Sequence, residues 1–193
     1  MPPPNPTDRR TNSARPLTAL TAVVASLFRL VPHPPNCTPV GALGLFAGGR
    51  LPWWLALPLP LAVMGATDYL LYAWFGLPPY NRWVYASFLV YVVLGRLLAR
   101  TDSPGRIGLA AVLGGLQFFL ITNFGVWYGS LGLPDAMYPP TAAGLLECYA
   151  LGLPFLGYTL LGDLGFSAVL FGAHAWLTRA AAKPQAAVKE ARA

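Results

Sequence analysis

The chain has 193 residues, of which 55% are hydrophobic and only 10% are charged. Because soluble domains usually carry about a quarter charged residues, this composition excludes an ordinary soluble domain and predicts one compact membrane domain, without a second catalytic domain. The net charge of +6 comes from basic residues that are divided among separate segments, so we expect contact with the lipid bilayer and no nucleic-acid partner.

The chain begins with residues 1–15, which are rich in proline, asparagine and charge and are predicted to form a disordered cytoplasmic tail. A first helix is predicted over Pro16–Val31. No small-x-small cleavage site follows its apolar run, so we interpret it as a retained helix and not a signal peptide. Small side chains recur along one side of this helix, at Thr18, Ala22 and Ser26. This pattern suits close contact with a helix of a partner protein or of the protein itself.

The second apolar segment, Val40–Gly49, is the weakest of six predicted spans. As a helix its ten residues would rise by about 15 Å, which is about half of the hydrocarbon core of a bilayer. The segment is either a short tilted helix or a re-entrant segment. If it did not cross, Arg96, Arg100 and Arg106 would lie outside the cell, so the charge distribution favours a crossing.

The remaining predicted spans are long enough to cross a bilayer: Leu51–Phe75, Trp83–Leu98, Ile107–Tyr128 and Gly157–Leu177. An outward segment, Gly129–Leu156, precedes the last span, and its second part, Thr141–Leu153, is predicted to be a helix at the membrane interface. We therefore predict an all-α membrane protein, a bundle of about six transmembrane helices over residues 16–179. A basic cytoplasmic tail over residues 180–193 follows it.

Basic residues indicate how the chain crosses the membrane. Eleven of the 13, all except Arg29 and Arg82, lie in alternate gaps between the apolar segments or in the two tails. Loops with excess Lys and Arg are cytoplasmic in most multi-pass proteins. The pattern predicts six crossings with both termini in the cytoplasm.

Charged side chains inside apolar spans are costly, so each of them marks a candidate functional site. Four polar side chains from four spans fall at a similar depth, in the predicted outer half of the membrane: Arg29, Asp68, Asn123 and Asp163. One arginine cannot neutralise two carboxylates, which leaves room for a proton or for a cationic or hydrogen-bonding ligand. The alternative is that Arg29 pairs with Asp68 or Asp163 only to neutralise buried charge and that Asn123 bridges two helices.

Residues in or near the outer loops complete the candidate substrate-binding set: His33, Asn36, Trp127 and Glu147. They either close over a ligand or serve as ordinary loop and turn residues. The two cysteines, Cys37 and Cys148, are too few for a metal-binding cluster, so we expect no metal and no cofactor. A disulfide between them and two free thiols both remain open.

Four runs of the sequence resemble a bacterial family of small, uncharacterised membrane proteins described only as transport proteins: Arg29–Leu43, Leu120–Trp127, Pro139–Leu145 and Thr159–Phe166. In size and number of spans that family is similar to the substrate-capture (S) components of energy-coupling-factor vitamin transporters. The resemblance implies six helices, an outward-facing site capped by loops and a first helix that contacts an energising partner subunit. It also implies the bacterial cytoplasmic (inner) membrane as the location.

We therefore expect an uptake component that captures a vitamin-like or other polar small molecule, and not an enzyme. The sequence contains no phosphate-binding loop of the Gly-x-x-x-x-Gly-Lys-Ser/Thr type, so energy would come from a partner or an ion gradient. The alternatives are a structural or assembly subunit of a membrane complex and a membrane-embedded enzyme. For the enzyme, acidic side chains are available, but the sequence shows no nucleophile motif or histidine-rich metal set.

Overall fold

The computed structural model describes residues 20, 23–24, 27–77, 81–99 and 101–190, with side chains up to residue 179. Within these ranges every regular element is a helix and no strand occurs, which confirms the all-α prediction. The predicted tail over residues 1–15 lies outside the described residues. So does the predicted partner-contact seam: Thr18, Ala22 and Ser26.

The described residues form one 3₁₀ turn and six α-helices. The 3₁₀ turn is Leu27–Leu30, and the α-helices are α1 (Val40–Arg50), α2 (Trp53–Ala56), α3 (Pro58–Phe75), α4 (Arg82–Arg96), α5 (Pro104–Ser130) and α6 (Ala142–Glu190). Three segments are long and apolar enough to cross a membrane: Trp53–Phe75, Pro104–Ser130 and Ala142–Arg179. They support the assignment to the membrane class. Helices α1 and α4 are shorter, with 11 and 15 residues.

The chain leaves the first apolar segment earlier than predicted. Leu27–Leu30 form a 3₁₀ turn, and the chain bends at Val31, so the predicted α-helix does not continue to that residue. Pro32 explains the difference, because the residue before a proline is pushed out of the helical region towards extended conformations.

Helix α1 lies at the centre of the bundle. All ten residues from Val40 to Gly49 are buried, and the helix packs mainly against α4 and α6. Its composition explains this position, because glycine and alanine let neighbouring helices approach closely. The segment that was weakest as a membrane span is therefore the core of the fold.

The tightest helix crossing joins α1 to α4 through two glycines. A Cβ atom on Gly48 would collide with the carbonyl oxygen of Val92, and one on Gly95 would collide with the carbonyl oxygen of Leu45. The two backbones thus pack against each other directly. Any side chain at either position forces them apart.

Basic side chains meet where α1 ends, and we call this region, which contains Arg50, Arg96 and Asp102, the basic end of the bundle. Arg50 donates to the carbonyl oxygens of Leu98 and Thr101, both at 2.8 Å, and forms an ion pair with Asp102 at 2.6 Å. Arg96 donates to the carbonyl oxygen of the residue that follows α1, at 3.0 Å. These bonds tie the end of α1 to the turn between α4 and α5.

The C-terminal part of the chain differs from the prediction, because α6 is longer than expected. The sequence suggested an interfacial helix over Thr141–Leu153, a separate last span from Gly157 and a tail from residue 180. The structure has one continuous helix of 49 residues instead. Pro154 removes a single backbone donor without ending the helix, and the alanines after residue 179 favour its continuation. The part up to Arg179 would be about 57 Å long, well beyond one hydrocarbon core.

We expect Gly48→Ala and Gly95→Ala to lower the free energy of unfolding by about 1–3 kcal/mol each, the usual range for overpacking a closed interior. The measurement is thermal or denaturant unfolding of the purified protein in detergent. Gly165→Ala is the matched control, because no atom lies within 4 Å of a Cβ at that position in α6. Equal stability of all three variants would contradict the direct backbone contact.

Candidate functional site

An ion pair between Arg29 and Asp68 joins the 3₁₀ turn to α3. The Arg29 Nη2 atom lies 2.5 Å from Asp68 Oδ1, and the two side chains are 19% and 12% exposed. The Nη1 atom of Arg29 donates to the Thr67 hydroxyl at 2.7 Å, and the Tyr85 hydroxyl donates to Asp68 Oδ2 at 2.8 Å. Both members of the pair are thereby held in a fixed geometry by neutral partners.

Asp163 lies on α6 and is only 2% exposed. The Tyr91 hydroxyl, from α4, donates to its Oδ2 atom at 2.5 Å. Glycines make room for the carboxylate: a Cβ on Gly41 would collide with Oδ1, and one on Gly115 would lie 3.3 Å from Oδ2. Three helices therefore shape the space around this one acidic side chain.

Arg29 and Asp163 line the same cavity, which has a volume of about 170 Å³. The 3₁₀ turn and the loop that follows it form one side, and helices α1, α4, α5 and α6 form the others. The polar lining consists of Arg29, Asn36, Thr38, Tyr91, Thr159 and Asp163. The cavity thus brings a group of polar side chains, next to an apolar wall, into an otherwise apolar helical bundle.

Aromatic rings form the wall of the cavity on the side of α4 and α5. Phe88 and Tyr91 stack with ring centroids 5.5 Å apart and an interplanar angle of 24°, and Phe118 packs on Phe88 at 5.5 Å. Phe88 and Tyr91 are buried in the main core. Their ring positions are therefore set by packing, so this wall is rigid.

The N-terminus of α1 points into the same region. Val40 and Gly41 both line the cavity, and no side chain caps the helix, since its N-cap residue is Pro39. The first backbone N–H groups of a helix have no acceptor within it, and together they carry about half a positive charge. This end of α1 therefore adds a partial positive charge next to Asp163.

The position of the cavity along the bundle follows from α1. The helix ends at Arg50, at the basic end, and its ten steps back to Val40 rise by about 15 Å. The cavity at Val40 therefore lies about half a hydrocarbon core away from the basic end.

The loop after the 3₁₀ turn places two other predicted residues near Arg29. Asn36 lines the cavity and has a φ of 63°, a left-handed conformation that asparagine tolerates better than most residues. His33 faces a neighbouring depression that Arg29 also lines, and its Nδ1 atom lies 2.6 Å from the carbonyl oxygen of Val31. Asn36 therefore belongs to the cavity and His33 to its edge.

Three other predicted residues lie elsewhere. The Asn123 amide donates to Phe119 within α5 at 2.9 Å, and its backbone carbonyl lies 3.3 Å from the Cys148 thiol on α6. The Trp127 ring nitrogen donates to Pro139 at 3.0 Å, and Glu147 is exposed on α6. None of the three lines the cavity. Asn123 and Trp127 instead attach α5 to α6 and to the loop between them.

Neither cysteine forms a disulfide. Cys37 and Cys148 are both free thiols, one half-buried in the loop before α1 and the other buried on α6. Across the described part of the chain, no group of three histidine, cysteine or acidic side chains could hold a metal ion.

Sequence reasoning did not single out Tyr91, Tyr85 or Thr67 as site residues. A signal for the first two was present, because Tyr85, Phe88 and Tyr91 recur every three residues along one face of α4. Thr67 gave no such signal. Its hydroxyl donates within its own helix to Val63 at 2.9 Å, and only the structure shows that it also accepts from Arg29.

A family profile described as "Family of unknown function (DUF6580)" matches residues 9–186. This match covers most of the chain, which therefore belongs to that family. No curated protein and no solved structure matches the chain.

We expect Arg29→Met and Asp68→Leu each to lower the free energy of unfolding by about 3–5 kcal/mol, because each leaves a largely buried charge without its partner. The double variant should recover most of that loss, since no charge remains. A double-mutant cycle in detergent measures this coupling. Asp135→Asn is the control: Asp135 is exposed in the loop between α5 and α6 and forms no ion pair among the described residues, so its loss should change the stability by no more than about 0.5 kcal/mol. Additive losses in the cycle would contradict the ion pair.

Proposed function

We propose that this member of the DUF6580 family is a multi-pass protein of the bacterial inner membrane that captures a small polar molecule in the cavity beside Asp163. The cavity itself is the main observation that supports this proposal. Interiors are normally packed to the density of organic crystals, and polar groups inside a membrane are retained mainly where they serve a function. A polar space of about 170 Å³ that no side chain fills is what a binding site requires.

The size of the cavity limits the ligand. An engineered apolar cavity of about 150 Å³ is known to bind benzene, and drug-sized ligands need about 300–1,000 Å³. The cavity therefore suits a molecule, or the recognised part of one, that is about as large as a single ring. Polar groups on one side and aromatic rings on the other would fix its orientation.

The proposed orientation places the basic end in the cytoplasm and the cavity in the outer half of the membrane. Three arginines at the basic end support it. Arg50 donates to the turn after α4, and Arg96, the last residue of α4, donates to the carbonyl oxygen of Leu51. Arg179 lines a groove together with Asp102 from the same turn.

Aromatic side chains lie at both ends: Trp83 packs on Phe124 and Tyr128 at the end opposite the basic one, and Trp53 and Trp54 are exposed close to Arg50. Tryptophan and tyrosine are enriched at both membrane interfaces, so the proposed orientation is supported by the arginines, which favour the cytoplasmic side.

Capture alone does not drive uptake against a gradient. The chain has no nucleotide-binding loop, so we propose that it works with an energising partner, as the resemblance to substrate-capture components implies. The Thr18–Ala22–Ser26 seam is the proposed contact.

Reporter fusions test the topology. We expect a fusion after Ser130 to report the periplasm and one after Lys183 to report the cytoplasm, because an odd number of proposed crossings separates them. A fusion after Asp102, at the basic end, serves as the control and should agree with the one after Lys183. The same location for Ser130 and Lys183 would contradict the proposed orientation.

A cavity-filling substitution tests capture. Val84 lines the cavity on α4, and Val84→Phe should abolish thermal stabilisation by any metabolite that binds the wild-type protein, because the added ring occupies the ligand volume. Val93→Phe is the matched control on the same helix, since Val93 is 63% exposed on the outer surface. Thermal shift with a panel of small polar metabolites is the measurement. Stabilisation that survives Val84→Phe would place the ligand elsewhere.

A further inference from the structure

We infer that the molecule captured in the cavity is a small organic cation with a flat apolar body, whose N–H group binds the Asp163 carboxylate while its ring packs against Phe88, Tyr91 and Phe118. This inference rests on the proposed function and specifies its ligand class. Two observations lead to it: Arg29 is already paired with Asp68, and the Asp163 carboxylate can still accept hydrogen bonds.

The positive charge of Arg29 is already matched within the protein. Its two terminal nitrogens are bound to Asp68 and Thr67 at 2.5 Å and 2.7 Å. Among the described residues, Asp163 forms no ion pair, and its hydrogen bond comes from the neutral Tyr91 hydroxyl. Arg29, Asp68 and Asp163 together therefore leave one negative charge when all three are ionised.

The N-terminus of α1 offsets only part of that charge. The end of a helix contributes about half a unit of positive charge, which leaves a net negative site beside Gly41. A cation inside the cavity would complete the neutralisation, whereas an anion would meet Asp163 directly. Since unpaired charge in an apolar interior is costly, this balance favours a cationic ligand.

Asp163 also has acceptor capacity to spare. An ionised carboxylate can accept about four hydrogen bonds, and Tyr91 uses one position on Oδ2. The Thr159 hydroxyl, one helical turn away on α6, donates to the carbonyl oxygen of Phe155 at 2.9 Å. It can still accept a second bond from a ligand. Two acceptors on one side of the cavity suit a ligand that brings N–H donors.

The aromatic wall defines the rest of the ligand. Rings held in place at Phe88, Tyr91 and Phe118 offer flat apolar surface, and the faces of aromatic rings attract cations. The volume of about 170 Å³ admits a single ring with a short substituent. The polar side of the cavity suits one charged nitrogen, and the aromatic side suits a flat ring. A ring that carries one charged nitrogen matches both sides.

Three probes of nearly equal size separate charge from shape: benzylamine, which is a cation at neutral pH, neutral benzyl alcohol and the anion benzoate. Binding to the full-length protein in detergent is measured by calorimetry and thermal shift. We expect benzylamine to bind at least about thirtyfold more tightly than either other probe, the lower range for a buried charge pair. Asp163→Asn should remove that preference.

Two further variants keep the result interpretable. Asp135→Asn removes an exposed carboxylate in the loop between α5 and α6 and should leave benzylamine binding unchanged. Val93→Phe adds a ring on the outer surface of α4, where Val93 is 63% exposed, and should likewise leave benzylamine binding unchanged. If Asp163→Asn does not fold, the preference of the wild-type protein among the three probes decides.

The outcomes separate the ligand class from the proposed function. Binding of benzyl alcohol or benzoate as tightly as benzylamine would overturn the cation class and leave capture standing, provided that Val84→Phe removes it. Failure of all three probes, while some metabolite of the panel still binds in the cavity, would also overturn the cation class alone. If neither the probes nor the panel bind, both proposals fail.

Discussion

The burial of α1 is the constraint on which the rest of the structure depends. Its glycines let α4 and α6 pack against its backbone, and Arg50 fastens its end to the turn before α5. Because the helix rises by only about 16 Å, it begins near the middle of the bundle. A full-length helix would have filled the space above Val40. Because α1 is short, the loop before it borders that space, and the cavity lies between this loop and the helices.

The ion pair between Arg29 and Asp68 then determines the net charge around the cavity. A charge in an apolar surrounding must find a partner, and two carboxylates were available to one arginine. The Thr67 and Tyr85 hydroxyls hold the pair on the α3 side, so Asp163 keeps its own neutral partner, Tyr91.

Hydropathy and charge were enough to predict the all-α class and the apolar helices, but they left Arg29 with two possible partners, Asp68 and Asp163. They could not predict helix rotation: Asn123 has the depth of Asp163, but it faces Gly152 on α6 and does not line the cavity. They also could not predict that α6 continues through Pro154 as one helix, because an interior proline normally kinks or breaks a helix. Tyr91 was not predicted to be a site residue, because an aromatic residue in a span usually indicates packing.

Gly41 and Asp163 depend on each other, and this dependence explains why the cavity persists. Any side chain at Gly41 would occupy the position of the carboxylate, so the glycine is required as long as Asp163 is present. Replacing buried polar groups with well-packed apolar ones is often neutral or stabilising, so stability alone does not require a carboxylate and a glycine at these positions. A carboxylate, a glycine and an open space that lie together in the core are the arrangement that the proposed binding role requires.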